Sequence, residues 1–363
     1  MKHYFACILL AICLRAAEKP AKQQSTCAPV SSTSNLFIVT IDGLRWQEVF
    51  SGADSILISR EKFTPDTSTM KSLYWAASGN ERRRRLMPFF WNVLAAKGQL
   101  YGNRLFKNKV NSTNLYSISY AGYSEMFAGH ADISIASNSK RSNPNFNVLE
   151  YLNQKNGYAG KVVAFTSWDV FPFILNRKRS NLKINSGYEN MGEIDGQESL
   201  VNMVANAVSN KTETRHDELT FITAKEYMNK FKPAIVYIAF GETDEAAHVG
   251  RYDLYLEKAA QLDRMLAELW HWVQSTPGYA NNTTLLVTTD HGRGKGAKWT
   301  DHGIFVNGSS QTWLGVIGPR IKALGEIKEE GQVYEKQIAQ TIASLAGEYF
   351  TSEQNVAAAI PLR

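Results

Sequence analysis

Cysteine is almost missing from this chain: among 363 residues there are only Cys7, Cys13 and Cys27, all close to the amino terminus. A disulfide framework across the body is therefore excluded, as is a cysteine-rich structural zinc site, so any metal must be held by aspartate and histidine. Prolines number ten, and no Pro-rich or Gly/Ser-rich linker interrupts the chain. With 44% apolar residues, one large α/β domain with insertions accounts for positions 35–349, followed by a tail at 350–363. No internal repeat or low-complexity tract is evident. Apolar runs long enough to span a bilayer are also missing. The stretch Tyr4–Leu14 follows the basic start Met1-Lys2-His3 and reads as the core of a signal peptide over 1–17, with cleavage near Ala16-Ala17. Positions 18–34 then form a polar tether. Leu10-Ala11-Ile12-Cys13 is a poor lipidation site because Ile12 is not small, so the expectation is an exported periplasmic or secreted protein. The formal charge is a modest +6. The run Arg82-Arg83-Arg84-Arg85 reads as a solvated face, and no nucleic-acid recognition motif accompanies it.

What is present is a set of apolar runs that end in metal-ligand chemistry. Thr284–Thr288 reads as a buried strand, and Asp290-His291-Gly292 follows it, with His302-Gly303 eleven residues after His291. Leu36–Ile41 stops at Asp42-Gly43. Ala234–Phe240 leads through Gly241-Glu242-Thr243 to Asp244, with His248 one helical turn further on, so that both face one side. Ligands in open α/β sheets collect beyond the carboxyl ends of such strands. Three aspartates and three histidines suit zinc, manganese or iron better than calcium. Six ligands exceed the needs of one tetrahedral ion and match two.

The remaining pattern alternates strands with helices. Helices are expected at 88–97, 146–153, 198–209, 217–231, 253–275 and 333–346, and further strands at 160–166 and 312–318. Such alternation implies an α/β fold with a mainly parallel sheet sandwiched by helices.

Between the first and second ligand groups, Ser117-Ile118-Ser119-Tyr120-Ala121-Gly122-Tyr123-Ser124-Glu125 sets a hydroxyl just before a helix. Backbone N–H groups at a helix start attract a phosphate or sulfate, which makes Ser119 the candidate nucleophile. Taken alone, a serine there is more often a plain N-cap.

In order and spacing, Asp42, Ser119, Asp244 with His248, Asp290-His291 and His302 resemble the alkaline phosphatase superfamily, over about 36–317. The frame Ser119-Tyr120-Ala121-Gly122-Tyr123 with Gly129 is similar to the nucleotide pyrophosphatase/phosphodiesterase branch, departing from it by Ser for Thr and Ala121 for Pro. Gly122-Tyr123-Ser124-Glu125 echoes the phosphoglycerate-mutase-like branch, in which Ser124 would be the nucleophile. The sulfatase pattern C/S-x-P-x-R is missing. The resemblance implies two divalent ions, zinc foremost with manganese or iron as alternatives, one held by Asp244, His248 and His302 and the other by Asp42, Asp290 and His291. It implies hydrolysis of a small phosphate monoester or diester through a phosphoseryl intermediate, the alternatives being a non-catalytic metal-dependent binding protein on the same fold or a sulfate-ester or phosphomutase relative. Asn138 and Arg45 are candidate substrate contacts. Oligomeric state is not legible.

Overall fold

The computed structural model describes residues 35–192 and 199–362. The expected signal peptide and tether lie outside the described residues. An eight-stranded sheet forms the centre, built from β1 (Asn35–Ile41), β2 (Gly98–Tyr101), β4 (Val162–Thr166), β5 (Lys183–Ser186), β6 (Ile235–Phe240), β7 (Thr283–Thr288), β9 (Leu314–Ile317) and β10 (Gly325–Glu326), in the order β10-β2-β9-β7-β1-β6-β4-β5. A second sheet orders β11 (Gly331–Tyr334), β3 (Asn108–Asn111) and β8 (Gln311–Thr312). The run β7-β1-β6-β4-β5 is parallel throughout, while β9 pairs antiparallel with both β7 and β2. This is the expected α/β class, with one reversed strand, β9, set between β2 and β7.

Side-chain alternation on β1 explains the layering. Phe37, Val39 and Ile41 pack into one apolar cluster with the helices Asp217–Phe231 and Tyr252–Ser275. Leu36 and Ile38 enter a second cluster with the helices Ser119–Ala128, Val148–Asn153 and Ile338–Leu345. Successive strand residues point to opposite faces, so a strand covered on both sides reads as a continuous apolar run. The register sets Ile41 beside Phe240 and Thr40 beside Thr288. The three strands that precede Asp42, Asp244 and Asp290 are therefore neighbours that end at one level.

The helices at 217–231 and 253–275 form as expected, within one residue. Four expectations need correction. The strand 312–318 is broken: Gln311–Thr312 belongs to the small sheet and Leu314–Ile317 to the large one, with buried Trp313 between them donating from Nε1 to the Leu44 carbonyl (2.7 Å). The helix expected over 333–346 starts at Ile338, because β11 continues to Tyr334 and pairs with β3. The arginine run is only partly a solvated face, with Arg84 and Arg85 exposed and Arg83 buried. Arg83 lies over the Trp91 ring at 3.4 Å and pairs with Glu326 at 3.0 Å, Arg82 stacks on Trp75, and Arg85 donates to the Trp75 carbonyl. Tryptophan faces exposed by the neighbouring segments draw the guanidiniums down. Residues 350–362, within the segment read as a tail, pack against the body: Phe350, Ile360 and Leu362 are buried, and the Ala357 N–H donates to the Gly129 carbonyl.

Candidate metal centre

Asp42 follows β1 directly, and Gly43 turns the chain with φ of +61°. A Cβ at position 43 would sit 2.6 Å from Asp244 Oδ1, so only glycine fits between the strand end and the second ligand group. We expect Gly43→Ala to lose tight metal binding, at least about tenfold in affinity; titration of the metal-free protein with zinc checks this, and unchanged affinity would contradict it. The short helix Glu242–His248 brings Asp244 and His248 to one side, as the spacing predicted. Its amino end is pinned by buried Asp217, which accepts from the N–H groups of Gly241 (2.8 Å) and Glu242 (3.1 Å). Thr243 donates its hydroxyl to the Asp42 carbonyl and so ties the helix to β1.

Two triads of ligand atoms result. The donor atoms of Asp42, Asp290 and His291 all lie within 4.8 Å of one another, as do those of Asp244, His248 and His302. The triads adjoin, with the His291 and His302 rings stacked at 3.9 Å between centroids and His291 Nε2 at 4.0 Å from Asp244 Oδ1. All six residues named from the sequence are thus brought together. A further grouping, His216, Glu218 and Glu242, is already neutralised by Lys258, which lies 2.9 Å from Glu242 and 3.4 Å from Glu218.

The donor set fits cations. Asp42 Oδ1 and Asp290 Oδ2 are buried without a hydrogen-bond partner, and each faces His291 Nε2, at 3.4 and 3.5 Å. Buried carboxylate oxygens left unpartnered are costly unless a proton or a cation meets them. Burial, reinforced by the charges of the neighbouring aspartates, pushes the Asp42 and Asp290 carboxyls well above the usual range. His291 Nδ1 lies 3.0 Å from the Gly292 carbonyl and His302 Nδ1 lies 3.0 Å from the Ser117 carbonyl. A proton on each Nδ1 satisfies those carbonyls and leaves the Nε2 lone pairs aimed into the site, the tautomer a metal needs. Burial also lowers both imidazoles to about 4, which keeps them neutral. His302 Nε2 stands 3.2 Å from His248 Nε2, which lies 2.9 Å from Asp244 Oδ2, so three ligand atoms converge. The hydrogen bond that His248 donates to Asp244 raises the imidazole in turn, while burial of Asp244 is outweighed by Arg293, which holds that carboxyl well below its ordinary value.

Ser119 opens the helix Ser119–Ala128, and its Oγ lies 3.2 Å from His291 Nε2. Ser124, the alternative, turns away and accepts from Asn143 Nδ2 at 3.0 Å. Gly122 lets the helix approach closely, since a Cβ there would come within 2.3 Å of the Asp290 carbonyl oxygen. The loop before the serine is held from below by buried Glu125, whose carboxylate accepts from the Thr113 N–H and hydroxyl and from the Asn114 N–H and side-chain amide, at 2.7 to 3.0 Å. Glu125→Ala strands these donors, and a loss of roughly 3 kcal/mol in stability is expected. Denaturant unfolding measures it; a change below about 1 kcal/mol would contradict the role.

The two candidate substrate contacts separate. Asn138 is exposed and its Oδ1 accepts from the Tyr120 N–H at 3.0 Å, so it stands at the nucleophile's helix start. Arg45 does not face the site as a free cation: it is buried, paired through two nitrogens with Glu48, and donates to the Gly294 carbonyl. A carboxylate three residues on, within the same helical turn, captures it. His130 caps its own helix end and touches Asn145.

Three further residues stand beside the ligands. Buried Arg293 contacts Asp244 and the Thr300 carbonyl. Tyr123 donates to Asp42 Oδ2 at 3.2 Å, and Thr243 ties two ligand segments. Tyr123 stands one turn after Ser119 and Arg293 directly follows Asp-His-Gly, so spacing offered a weak signal for both.

Residues 183–305 match the family described as the Metalloenzyme superfamily. No curated protein matches the sequence. Among solved structures, the chain resembles the alkaline phosphatase PafA, with 11% identity, TM-score 0.53, and coverage of 87% of this chain and 96% of that one. It is similar to the lipoteichoic acid synthase LtaP from Listeria monocytogenes, at 13% identity and TM-score 0.53, covering 88% and 73%. The phosphonate monoester hydrolase SpPMH from Silicibacter pomeroyi is similar too, at 12% and 0.52, covering 86% and 73%. At such identities these structures share the fold. Together with the matched region they support the superfamily resemblance read from the sequence, and the fold is alkaline-phosphatase-like.

Proposed function

We propose that this protein is a two-metal phosphohydrolase that cleaves phosphate monoesters or diesters through a phosphoseryl intermediate. The observation that carries the reading is the Ser119 hydroxyl beside two adjoining Asp/His triads, one of which leaves two buried carboxylate oxygens unpartnered. Asp42, Asp290 and His291 would hold one ion and Asp244, His248 and His302 the other, zinc being the first choice for this donor set. Bound there, paired ions would supply Lewis-acid stabilisation of attacking and leaving oxygens.

The chain's own groups do the rest. The Ser119 oxygen forms the new bond to phosphorus while the bond from phosphorus to the ester oxygen breaks. The serine proton passes to solvent and the departing alcohol takes one up. Water then cleaves the phosphoseryl bond and restores the hydroxyl. The positive end of the 119–128 helix would face the phosphoryl oxygens, the Tyr120 N–H there being taken by Asn138 Oδ1 (3.0 Å). The missing sulfatase motif argues against sulfate esters, and the intact serine argues against a pure binding protein. Signal-peptide removal would direct the mature chain out of the cytoplasm.

The test combines elemental analysis of the purified protein with a screen of p-nitrophenyl phosphate, its bis-ester and the corresponding sulfate. Close to two divalent ions per chain and phosphoester turnover are expected. Metal uptake with no ester hydrolysed would replace the enzyme reading by the binding-protein one.

A further inference from the structure

The mouth of the metal centre is ringed by large apolar side chains that face solvent. Phe305, Ile133, Val249, Leu115 and Ile304 are between 46 and 92% exposed. They come from four separate loops, and each loop is tied to the site. Val249 follows ligand His248, whose own side chain is 47% exposed. Ile304 and Phe305 follow ligand His302, one residue beyond Gly303. Leu115 lies on the Glu125-held loop that leads into Ser119. Ile133 joins this loop through its carbonyl, which accepts from Tyr116 Oη at 3.1 Å. Gly303 in turn lies against the Tyr116 carbonyl, 3.8 Å from where its Cβ would be, and His302 Nδ1 contacts the Ser117 carbonyl.

Single exposed apolar residues are common; five around one reactive opening are not explained by that background. Core packing cannot account for them, because they extend from loops and their tips meet water. A folded partner seated on all four loops would cover the exposed edge of His248 and close the opening to substrate. A lipid surface meets the same protrusions and delivers a phosphoester straight to the opening. On the segment between ligands His291 and His302, exposed Lys295 and Lys298 outnumber the one exposed acidic residue, Asp301, which suits an anionic surface.

We propose that this rim docks the protein on an anionic lipid surface and that the substrate class is a phosphoester headgroup carried by an apolar alcohol. The substrate half rests on the phosphohydrolase reading; the docking half does not. Phe305 and Ile133 insert between acyl chains while the headgroup phosphorus enters between the two triads, with the bond changes already described.

Co-flotation of the full chain with vesicles of phosphatidylcholine and phosphatidylglycerol (three to one) tests the docking, in parallel with pure phosphatidylcholine vesicles. The protein is expected to float with the mixed vesicles, and the double variant Phe305→Ser/Ile133→Ser to partition at least about tenfold less. The variant's thermal transition and metal content, measured alongside, should match the parent's and so exclude misfolding as the cause. Failure of the parent to float overturns the docking, as does equal flotation of the variant; flotation that 0.5 M salt abolishes while the variant is unaffected assigns the effect to charge alone and also overturns it. A concentration-dependent dimer that the same variant dissolves would give the rim to a second copy instead. Vesicle binding without hydrolysis of any ester would leave docking standing and remove the phosphohydrolase reading, whereas hydrolysis of p-nitrophenyl phosphate by a protein that stays off vesicles does the reverse.

Discussion

Ser119→Ala is expected to lose at least about a thousandfold in phosphoester turnover while retaining the parent's metal content. A nucleophile whose removal leaves only bound ions and binding groups drops the rate by several orders of magnitude. The alanine adds no volume and breaks no fold contact, since the serine oxygen's recorded partner is His291 Nε2 alone. The backbone of Ser119 stays helical in either residue, so the N–H groups that follow remain in place. Rapid-quench detection of a covalent phosphoryl group in the parent, absent in the variant, separates nucleophilic loss from general damage. Full activity in Ser119→Ala would sink the proposed role. Retained activity there with loss in Ser124→Ala would transfer the role to the deeper serine, despite its hydrogen bond to Asn143.

Asp290→Asn should remove one of the two metal equivalents, with affinity falling more than about a hundredfold, a larger loss than outer-shell changes cause. The two states of the protein respond in opposite senses. In the metal-free protein, Asp42 and Asp290 are buried together: burial and then the Asp42 charge raise the Asp290 carboxyl, while burial and then the Asp244 charge raise Asp42. Replacing one with a neutral amide of the same shape removes that repulsion, and the Asn oxygen can still accept from the Gly43 N–H, as Asp290 Oδ1 does at 3.2 Å. The chelated variant is therefore expected to melt at or above the chelated parent. With zinc added, the parent gains stability by mass action and the variant gains little, so the order reverses. Differential scanning calorimetry with and without zinc reads both halves. A variant less stable than the parent when both are chelated would show Asp290 acting as a structural group rather than a ligand.

Much of this architecture was legible in one dimension because the same physics acts locally. Strands buried on both faces must be continuously apolar, and the runs before Asp42, Asp244 and Asp290 stand out for that reason. The helical repeat made Asp244 and His248 a pair. Legibility failed where a long-range partner decides conformation. The 331–334 segment has no strong strand pattern of its own and becomes β11 only by pairing with β3. The arginine run looks solvated until Trp75 and Trp91 are brought beneath it. Arg45 looks free until Glu48, three residues away, is folded against it in a pocket that also supplies the Gly294 carbonyl.

By itself the amino-acid sequence determined which residue types could carry the chemistry. It has no cysteine in its body, three aspartates at strand ends and three histidines at usable spacing, and a serine before a helix. Tertiary structure alone decided that β6, β1 and β7 lie side by side and end at one level, which brings ligands some 250 residues apart into contact. It also decided that Ser119 rather than Ser124 faces them, that Arg293 and Tyr123 join the site, and that five apolar side chains on loops tied to the site are exposed. Strand order and loop convergence are set by the packing of both sheet faces at once, and no local stretch of chain contains that information.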